Sequence, residues 1–184
     1  MPITNDDTAE ILKFWFGELT PKQWFKKSDD TDALCRERFG PLLDRLAREV
    51  KPGETEDGFQ ALAAVILFDQ LPRNIHRDTP KAFETDPLAL AIAKDTVIRD
   101  LDTQVSRDQR LFLYMPFEHS ENLDDQDRGV ALIASLGNDE YTPYAEAHRD
   151  VIARFGRFPH RNAILGRAST EEELAYLAEP GSGF

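Results

Sequence analysis

Apolar side chains recur along this chain at intervals of three and four residues, which is the spacing of one face of an α-helix. The clearest example runs from about residue 30 to residue 50. No run alternates apolar and polar residues between hairpin turns, as strands of an antiparallel sheet would. The pattern therefore predicts an all-α protein, with about eight to ten helices joined by short loops in a single domain that spans residues 1–184.

Capping residues and glycines mark the helix boundaries. Thr4 with Asp7, and Thr170 with Glu173, have the spacing of a capping box, which satisfies the first backbone N–H groups of a helix. The remaining signals predict helices over about residues 5–17, 20–25, 30–50, 55–70, 87–101, 106–115, 124–136 and 142–155, with Gly137 and Gly156 closing the last two, a further start at Pro80 and a final helix after Thr170.

Prolines within the apolar runs predict interruptions. Pro41 predicts a bend in the helix of residues 30–50, while Pro72 and Pro116 are each expected to end a helix. Proline lacks a backbone N–H, and its ring crowds the preceding helical turn. Residues 61–68 are apolar all round, so their helix is expected to be central and buried.

The net charge of −12 limits the possible partners. Binding to nucleic acid or to an anionic membrane requires a basic face, so we expect neither partner. The polar, acidic first residues do not resemble a signal peptide, and the single cysteine, Cys35, cannot form an intrachain disulfide, so we expect a cytoplasmic protein. Cys35 falls on an apolar helix face and is interpreted as a core residue, with a reactive thiol as the alternative.

Three segments are unusually polar for their apolar surroundings, and the first covers residues 69–74 at the end of the buried helix. Asp69 can pair with Arg73, while Arg73 and Asn74 can donate to the last carbonyls of that helix. This interpretation makes the segment a helix cap. In the alternative, Asp69, Arg73 and Asn74 face a cavity and bind a ligand.

The second segment, residues 114–121, places carboxylates on both sides of a histidine. His119 is a candidate general acid or base because histidine titrates near neutral pH, and Glu121 is the second candidate catalytic residue. Ser120 adjoins His119 in sequence, so their side chains diverge, and no Gly-x-Ser-x-Gly motif supports a serine nucleophile. The alternative is that Glu118 and Glu121 neutralise nearby arginines.

The third segment, residues 148–167, contains five arginines and one acidic residue, which gives a local charge of +4. Arginine binds carboxylate and phosphate through two parallel hydrogen bonds. The arginines either pair with carboxylates of the other segments and tie helices together, or bind an anionic ligand. The candidate ligand-binding residues here are His148, Arg157, Arg161, Asn162 and Arg167, and His160 is a further candidate acid or base.

Metal binding has little support in the sequence. The four histidines form neither a His-Glu-x-x-His motif nor the spacing of a zinc finger. We therefore assign no metal and no cofactor, and the oligomeric state does not follow from the sequence.

Taken together, these segments resemble the bacterial family known as domain of unknown function 924. The resemblance implies an all-helical fold similar to tetratricopeptide-like stacks of antiparallel helix pairs, and it implies no established activity. The family tends to have an aromatic residue in place of His76 and glycine in place of Asp78, so His76 is not a candidate site residue. The matching pieces occur in order between about Ile11 and Tyr176, and they are Phe14-Trp15-Phe16-Gly17, Trp24-Phe25, Asp69 to Asn74, Met115-Pro116 to Glu121, Arg154 to Asn162, and Leu165-Gly166-Arg167.

Our leading hypothesis is that the three polar segments form one pocket for a small anionic molecule, in which hydrolysis or another proton transfer would fit the residues present. The rival hypothesis is a module that binds a protein or peptide without catalysis, on the concave surface of a helix stack. Trp15, Trp24 and Phe25 would then be exposed anchors, although packing in the core is the commoner role for such aromatics. In the pocket, the candidate anion clamps are Arg73, Arg157, Arg161 and Arg167, and His119 or His160 would be oriented by Glu121 or Asp69.

Overall fold

The computed structural model describes residues 3–183, and every regular element in that range is helical, which confirms the predicted all-α class. The α-helices are α1 (Asn5–Leu12), α2 (Pro21–Phe25), α3 (Asp29–Glu49), α4 (Gly58–Val65), α5 (Leu71–Ile75), α6 (Asp86–Ile98), α7 (Arg107–Glu118), α8 (Leu123–Ser135), α9 (Thr142–Phe155) and α10 (Glu171–Leu177). Two π-helical segments, Lys13–Glu18 and Ile66–Gln70, follow α1 and α4, and short 3₁₀ turns cover Pro80–Phe83, Leu101–Gln104 and Pro159–Arg161.

The predicted capping boxes are confirmed at both ends of the chain. The side chain of Thr4 accepts a hydrogen bond from the backbone N–H of Asp7, and the backbone N–H of Thr4 donates to the Asp7 carboxylate. Thr170 and Glu173 exchange the same two bonds before α10. Each cap contributes about 1 kcal/mol to helix stability. The start predicted near residue 55 lies slightly later, because Asp57 is the residue whose carboxylate caps α4.

The prolines interrupt the helices less than predicted. Pro72 does not end a helix, because it occupies the first turn of α5, where a backbone N–H is not required. α7 continues past Pro116 to Glu118. Burial of Phe117, which is 2% exposed, offsets the local cost of about 3 kcal/mol for a proline in a helix. α3 is one helix that contains Pro41, as predicted, and the bend expected there stays a prediction.

The chain forms two compact units. Unit 1 holds the residues up to Arg77 together with Lys81–Pro116, and unit 2 holds Asp78–Pro80 together with the residues from Phe117 onward. The single domain and the tetratricopeptide-like stacking expected from the sequence stay predictions.

Unit 1 is built around the helix that the sequence predicts to be buried. Residues 61–68 are fully buried, and α4 packs against α1 and α6. α3 packs against α5 in the same unit. Cys35 is fully buried, which confirms its interpretation as a core residue, and burial raises the pKa of its thiol to about 12.

Unit 2 is built on the packing of α8 against α9, and α10 packs against the 3₁₀ turn Pro159–Arg161. Gly156 closes α9 as predicted, in a left-handed conformation with φ 68°. Asp78 has φ 61°, a conformation in which glycine is unstrained and aspartate is tolerated.

Candidate functional site

The loop after α9 carries most of the site residues predicted in unit 2. Phe158 is fully buried in a small core with Val151 and Ile152, and it fixes the start of the loop. The polar residues on either side of Phe158 are therefore held in place by an apolar anchor rather than by a long regular element.

Arg167 closes this loop. Its Nη1 and Nη2 donate to Oε2 and Oε1 of Glu121 at 2.7 and 2.9 Å, and its Nε donates to Oδ1 of Asn162 at 2.9 Å. Nη2 also donates to the backbone oxygen of Phe158 at 3.1 Å, and the backbone N–H of Phe158 donates to Glu121 at 2.8 Å. Burial disfavours the charged form of Glu121, but these donors outweigh it and lower the pKa of its carboxyl group. These contacts make Arg167 a structural lock of the loop.

Arg157 forms a second ion pair in unit 2. Its Nε and Nη2 donate to the carboxylate of Glu173 at 2.6 and 2.8 Å, and Nη2 also donates to the backbone oxygen of Ala168 at 2.9 Å. The bonds from Arg157 and from the backbone of Thr170 lower the pKa of Glu173 to about 2. Glu173 thus serves both the ion pair and the capping box of α10. An open cleft of about 400 Å³ lies here, lined by Arg154, Phe155, Arg157, Thr170, Glu172 and Glu173.

Arg161 has a different environment. Its side chain is buried, and its guanidinium carbon lies 4.5 Å from the centre of the Phe158 ring, in a cation–π arrangement. Its Nη1 donates to the backbone oxygen of His119 at 3.2 Å. Glu121, whose contact with Arg161 the sequence left open, forms a two-bond ion pair with Arg167, and the charge of Arg161 also helps to lower the pKa of Glu121.

His148 pairs with a carboxylate that the sequence assigned only a neutralising role. Its Nδ1 lies 3.0 Å from Oε1 of Glu118 and 2.8 Å from the backbone oxygen of Tyr144. His148 is 8% exposed and Glu118 is 7% exposed. Acceptors on this side favour the tautomer with a proton on Nδ1, and they fix the orientation of the ring. The carboxylate beside His148 is therefore Glu118, and the orientation of His119 or His160 by Glu121 or Asp69 stays a prediction.

Three histidine rings gather near Phe158. The ring centre of Phe158 lies 5.7 Å from that of His148 and 5.5 Å from that of His160, and the rings of His148 and His119 are 6.4 Å apart. Burial, followed by the cation of Arg161 and the ring of His148, lowers the pKa of His160 to about 4, so that its imidazole is neutral at pH 7. We call this group of residues the imidazole cluster, and its members are Glu118, His119, His148, Phe158, His160 and Arg161.

The turn that carries His119 is held from α8. Nε2 of Gln126 donates to the backbone oxygens of Glu118 and Ser120 at 2.7 and 2.6 Å. The hydroxyl of Ser120 donates to Asp125 at 2.9 Å. Ser120 therefore contributes to the turn, since its Oγ also accepts from the backbone N–H of Asn122 at 3.2 Å.

The first polar segment lies in unit 1, where Arg73 contacts two carboxylates. Arg73 donates to both oxygens of Asp86 at 2.8 and 3.0 Å, to the backbone oxygen of Asp69, and lies 3.7 Å from the Asp69 carboxylate. Burial opposes the charge of the guanidinium, but the two carboxylates outweigh it and raise the pKa of Arg73. The predicted cap contact to a helix carbonyl is thus confirmed, and it is part of an ion-pair network.

Asn74 joins a neighbouring network in the same unit. Its Nδ2 donates to Oδ1 of Asp32 at 2.8 Å, and Arg77 donates to both oxygens of Asp32 at 2.5 and 2.7 Å. Asp32 is largely buried, yet these donors lower the pKa of its carboxyl group. Asn74 here connects α5 to α3.

Across residues 3–183, no group of three or more histidine, cysteine or acidic side chains is arranged to hold a metal ion. In the same range, no helix is both long and apolar enough to cross a membrane.

Comparison with known proteins identifies the family. Residues 11–181 match a family described as bacterial protein of unknown function, DUF924. The chain belongs to this family. All three polar segments lie within the matched range, as does every residue of the imidazole cluster.

This DUF924 member is also similar to a protein of solved structure. The protein of unknown function ATU0120 from Agrobacterium tumefaciens is 41% identical in sequence and has a TM-score of 0.87, over 93% of this chain and 96% of that one. No curated protein matches the chain. The family and its solved relative therefore support the fold, and neither supplies a reaction.

Three ion-pair partners in this DUF924 chain were not predicted from the sequence. Glu118 lies beside His148, Glu173 beside Arg157, and Asp86 beside Arg73. For Glu173 a signal existed, because its capping-box position places its carboxylate at a helix start. Glu118 and Asp86 gave none, since their partners depend on how helices pack.

Proposed function

We propose that unit 2 binds a small anionic molecule at the imidazole cluster. The observation that carries the proposal is the grouping of three imidazoles and one guanidinium close to Phe158. Guanidinium and imidazole N–H groups are the usual donors to phosphate and carboxylate oxygens. An apolar floor with a few convergent polar groups is also the common composition of a small-molecule site.

The proposal assigns different roles to the arginines of unit 2. Arg161 is the anion clamp, whereas Arg157 and Arg167 hold the surrounding loop through Glu173 and Glu121. Asn162 belongs to the same supporting contacts, because its Oδ1 accepts from Arg167 and its Nδ2 donates to a serine. Of the eight candidate residues in the second and third segments, the proposal thus keeps His119, His148, His160 and Arg161 in the binding cluster.

The cluster is also equipped for proton transfer. The contact between Glu118 and His148 is the arrangement in which a carboxylate orients a histidine that acts as general base or acid. His160, neutral at pH 7, would accept or donate a hydrogen bond there without adding charge. We propose that any reaction of the bound molecule is a hydrolysis or another proton transfer that uses this pair.

Thermal denaturation in the presence of inorganic phosphate, pyrophosphate and citrate tests the binding. A ligand at one hundred times its Kd stabilises the native state by about 2.7 kcal/mol. For a chain of this size each kcal/mol raises Tm by about 2–4 °C, so the expected rise is about 5–10 °C. We expect at least one of the three anions to raise Tm in the wild type.

Two variants make this experiment specific. Arg161→Lys should abolish the rise, because lysine cannot form two parallel bonds to an oxyanion. Arg154→Lys is the matched control, since Arg154 pairs with Glu172 outside the cluster, and it should keep the rise. No rise with any of the anions, or an equal rise in Arg161→Lys, would contradict the proposal and leave the cluster as part of the fold alone.

The cytoplasmic location and the tetratricopeptide-like stacking expected from the sequence belong to the same proposal. The location is supported by the single cysteine, which is buried in unit 1. Cell fractionation would test it. The short connections between neighbouring helices support antiparallel pairing, which an experimental structure would test.

A further inference from the structure

Residues 13–27 of unit 1 differ in composition from the rest of the chain. They contain four of the seven lysines and both tryptophans of the protein. The only acidic residue among them is Glu18, which accepts hydrogen bonds from Arg38 at 2.5 and 3.5 Å. This short stretch therefore carries a net charge of +3 in a protein whose total is −12.

An exposed aromatic ring stands in the middle of this basic stretch. Phe25 is 59% exposed, although its ring stacks on that of buried Phe112 with centres 6.5 Å apart and planes 8° from parallel. Trp24 packs edge-on against Phe112 at 5.1 Å, and its Nε1 donates to the backbone oxygen of Trp15 at 2.7 Å. Phe25 is thus held on one side by aromatic neighbours and open on the other.

The three aromatic residues that the rival hypothesis treats as exposed anchors differ in how far they are buried. Trp15 is 1% exposed and packs in the core, which confirms the commoner role expected of such aromatics and excludes Trp15 as an exposed anchor. Trp24 is half-buried and supports Phe25. Lys22, Lys26 and Lys27 are exposed and lie within three residues of Phe25 in the chain. We call Trp24, Phe25 and these three lysines the aromatic–lysine patch.

We propose that the aromatic–lysine patch docks an acidic segment of another protein that carries an apolar side chain. The apolar side chain would pack on Phe25, and the flanking carboxylates would pair with the lysines. A ring already fixed by its neighbours loses little conformational freedom on binding, which favours association. Aromatic residues are also the commonest binding hot spots.

Charge supports this partner over the other occupants. An acidic segment is repelled by most of a protein with net charge −12 and attracted at this patch, which would direct it to one place. An anionic membrane presents a wide surface, so the negative charge of the whole protein would oppose its approach. Membrane binding is therefore the outcome that we do not expect.

Fluorescence anisotropy of a labelled ten-residue peptide, made of aspartate and glutamate around a central Leu-Phe pair, tests the proposal with the full-length protein. We expect saturable binding that quenches or shifts tryptophan fluorescence. The Phe25→Ala variant should weaken it about fivefold or more, as loss of a hot spot does. The double variant Lys22→Glu, Lys26→Glu should abolish binding, and 0.5 M salt should weaken that of the wild type because charges in solvent are screened.

Phe59 provides a matched control. It is 45% exposed in unit 1, but the charged residues just before it, Glu56 and Asp57, are acidic. Phe59→Ala should leave peptide binding unchanged. Equal affinities for wild type and Phe25→Ala, no binding of the peptide by the wild type, or binding to phosphatidylglycerol vesicles in place of the peptide would each overturn the proposal.

Discussion

The polar network of unit 1 and the imidazole cluster of unit 2 both bury ionisable side chains, but their members differ in kind. In unit 1, Arg73 meets Asp86 and Asp69, and Arg77 meets Asp32, so that guanidinium groups and carboxylates form close pairs. In unit 2, three histidines gather where one carboxylate and one arginine lie.

We interpret the unit 1 network as a structural lock, whereas the imidazole cluster is the site that we propose for an anion. Arginine and a paired aspartate keep their charges at every physiological pH, so such pairs hold helices together without responding to their surroundings. Imidazoles can donate or accept hydrogen bonds and exchange protons readily, and the proposed binding or catalytic site would use these properties. We therefore expect variants of the unit 1 network to affect stability alone, and variants of the cluster to affect the response to anions.

The largest effect is expected for Arg73→Leu. This change leaves the fully buried carboxylate of Asp69 and the carboxylate of Asp86 without their shared cation. Removing one partner of a buried ion pair costs about 3–5 kcal/mol, which urea unfolding would measure. Arg45→Leu is the control, since Arg45 is exposed and its pairs with Asp7 and Glu49 are worth about 0–1 kcal/mol. If Arg73→Leu also abolished the Tm rise with anions, the separation of lock and site would be wrong.

A somewhat smaller effect is expected for Arg167→Leu in unit 2. Glu121, Asn162 and the Phe158 carbonyl would each lose a donor, at a total cost of about 2–4 kcal/mol. Urea unfolding of Arg167→Leu beside Arg154→Leu, whose partner is well exposed, would measure the difference. A loss equal to that of the control would show that Arg167 does not lock the loop.

Much of the fold could be predicted from the sequence because helix signals are local. The capping boxes of Thr4 and Thr170 and the glycine closing α9 act within a few residues, and all three were found as predicted. Pro72 and Pro116 were misjudged because tertiary packing and the first-turn position decide their effect, and neither is visible in the local sequence.

The candidate site could be predicted only in part. A cluster of arginines and histidines is visible in composition, but the choice of partner depends on distances between helices. Arg167 contacts Glu121 across 46 residues, and Arg161 bonds a backbone oxygen, which no side-chain pattern reveals. The sequence thus supplied the histidines and arginines of the proposed site, but it did not assign Glu118 to His148 and could not divide the arginines into clamps and locks.

Glu118→Gln tests the role of the carboxylate beside His148 in the imidazole cluster. Glutamine keeps the shape of the side chain but removes the charge beside His148, so we expect a loss of about 1–2 kcal/mol. Because an uncharged partner no longer stabilises a protonated imidazole, any reaction of the bound molecule should slow by a factor of about 100 or more. The measurements are urea unfolding and release of inorganic phosphate from pyrophosphate. The control is Glu172→Gln in the exposed pair with Arg154, which should change neither.

The last prediction concerns the pH dependence of the free energy of unfolding, which reports on the protonation of His160. The folded protein keeps this imidazole neutral down to about pH 4, whereas the unfolded chain binds the proton near pH 6.5. Between these values the unfolded state holds more protons, so stability falls as the pH falls from 6.5 towards 4. The lowered carboxyl pKa values of Glu121 and Glu173 act only below the usual range of a glutamate, near pH 4.5, so they leave the upper part of this window unaffected.

Urea unfolding at pH 7 and pH 5 would measure this term. The wild type should lose about 1–2 kcal/mol more than His160→Gln between the two pH values, because glutamine does not titrate. His76→Gln in unit 1 is the matched control, and it should follow the wild type more closely, since the downward shift of the His76 pKa is smaller. Equal losses of stability for the wild type and His160→Gln would mean that the imidazole is solvated in the folded state. His160 would then not belong to the cluster, and the contrast between the fixed charges of unit 1 and the imidazoles of unit 2 would be weaker.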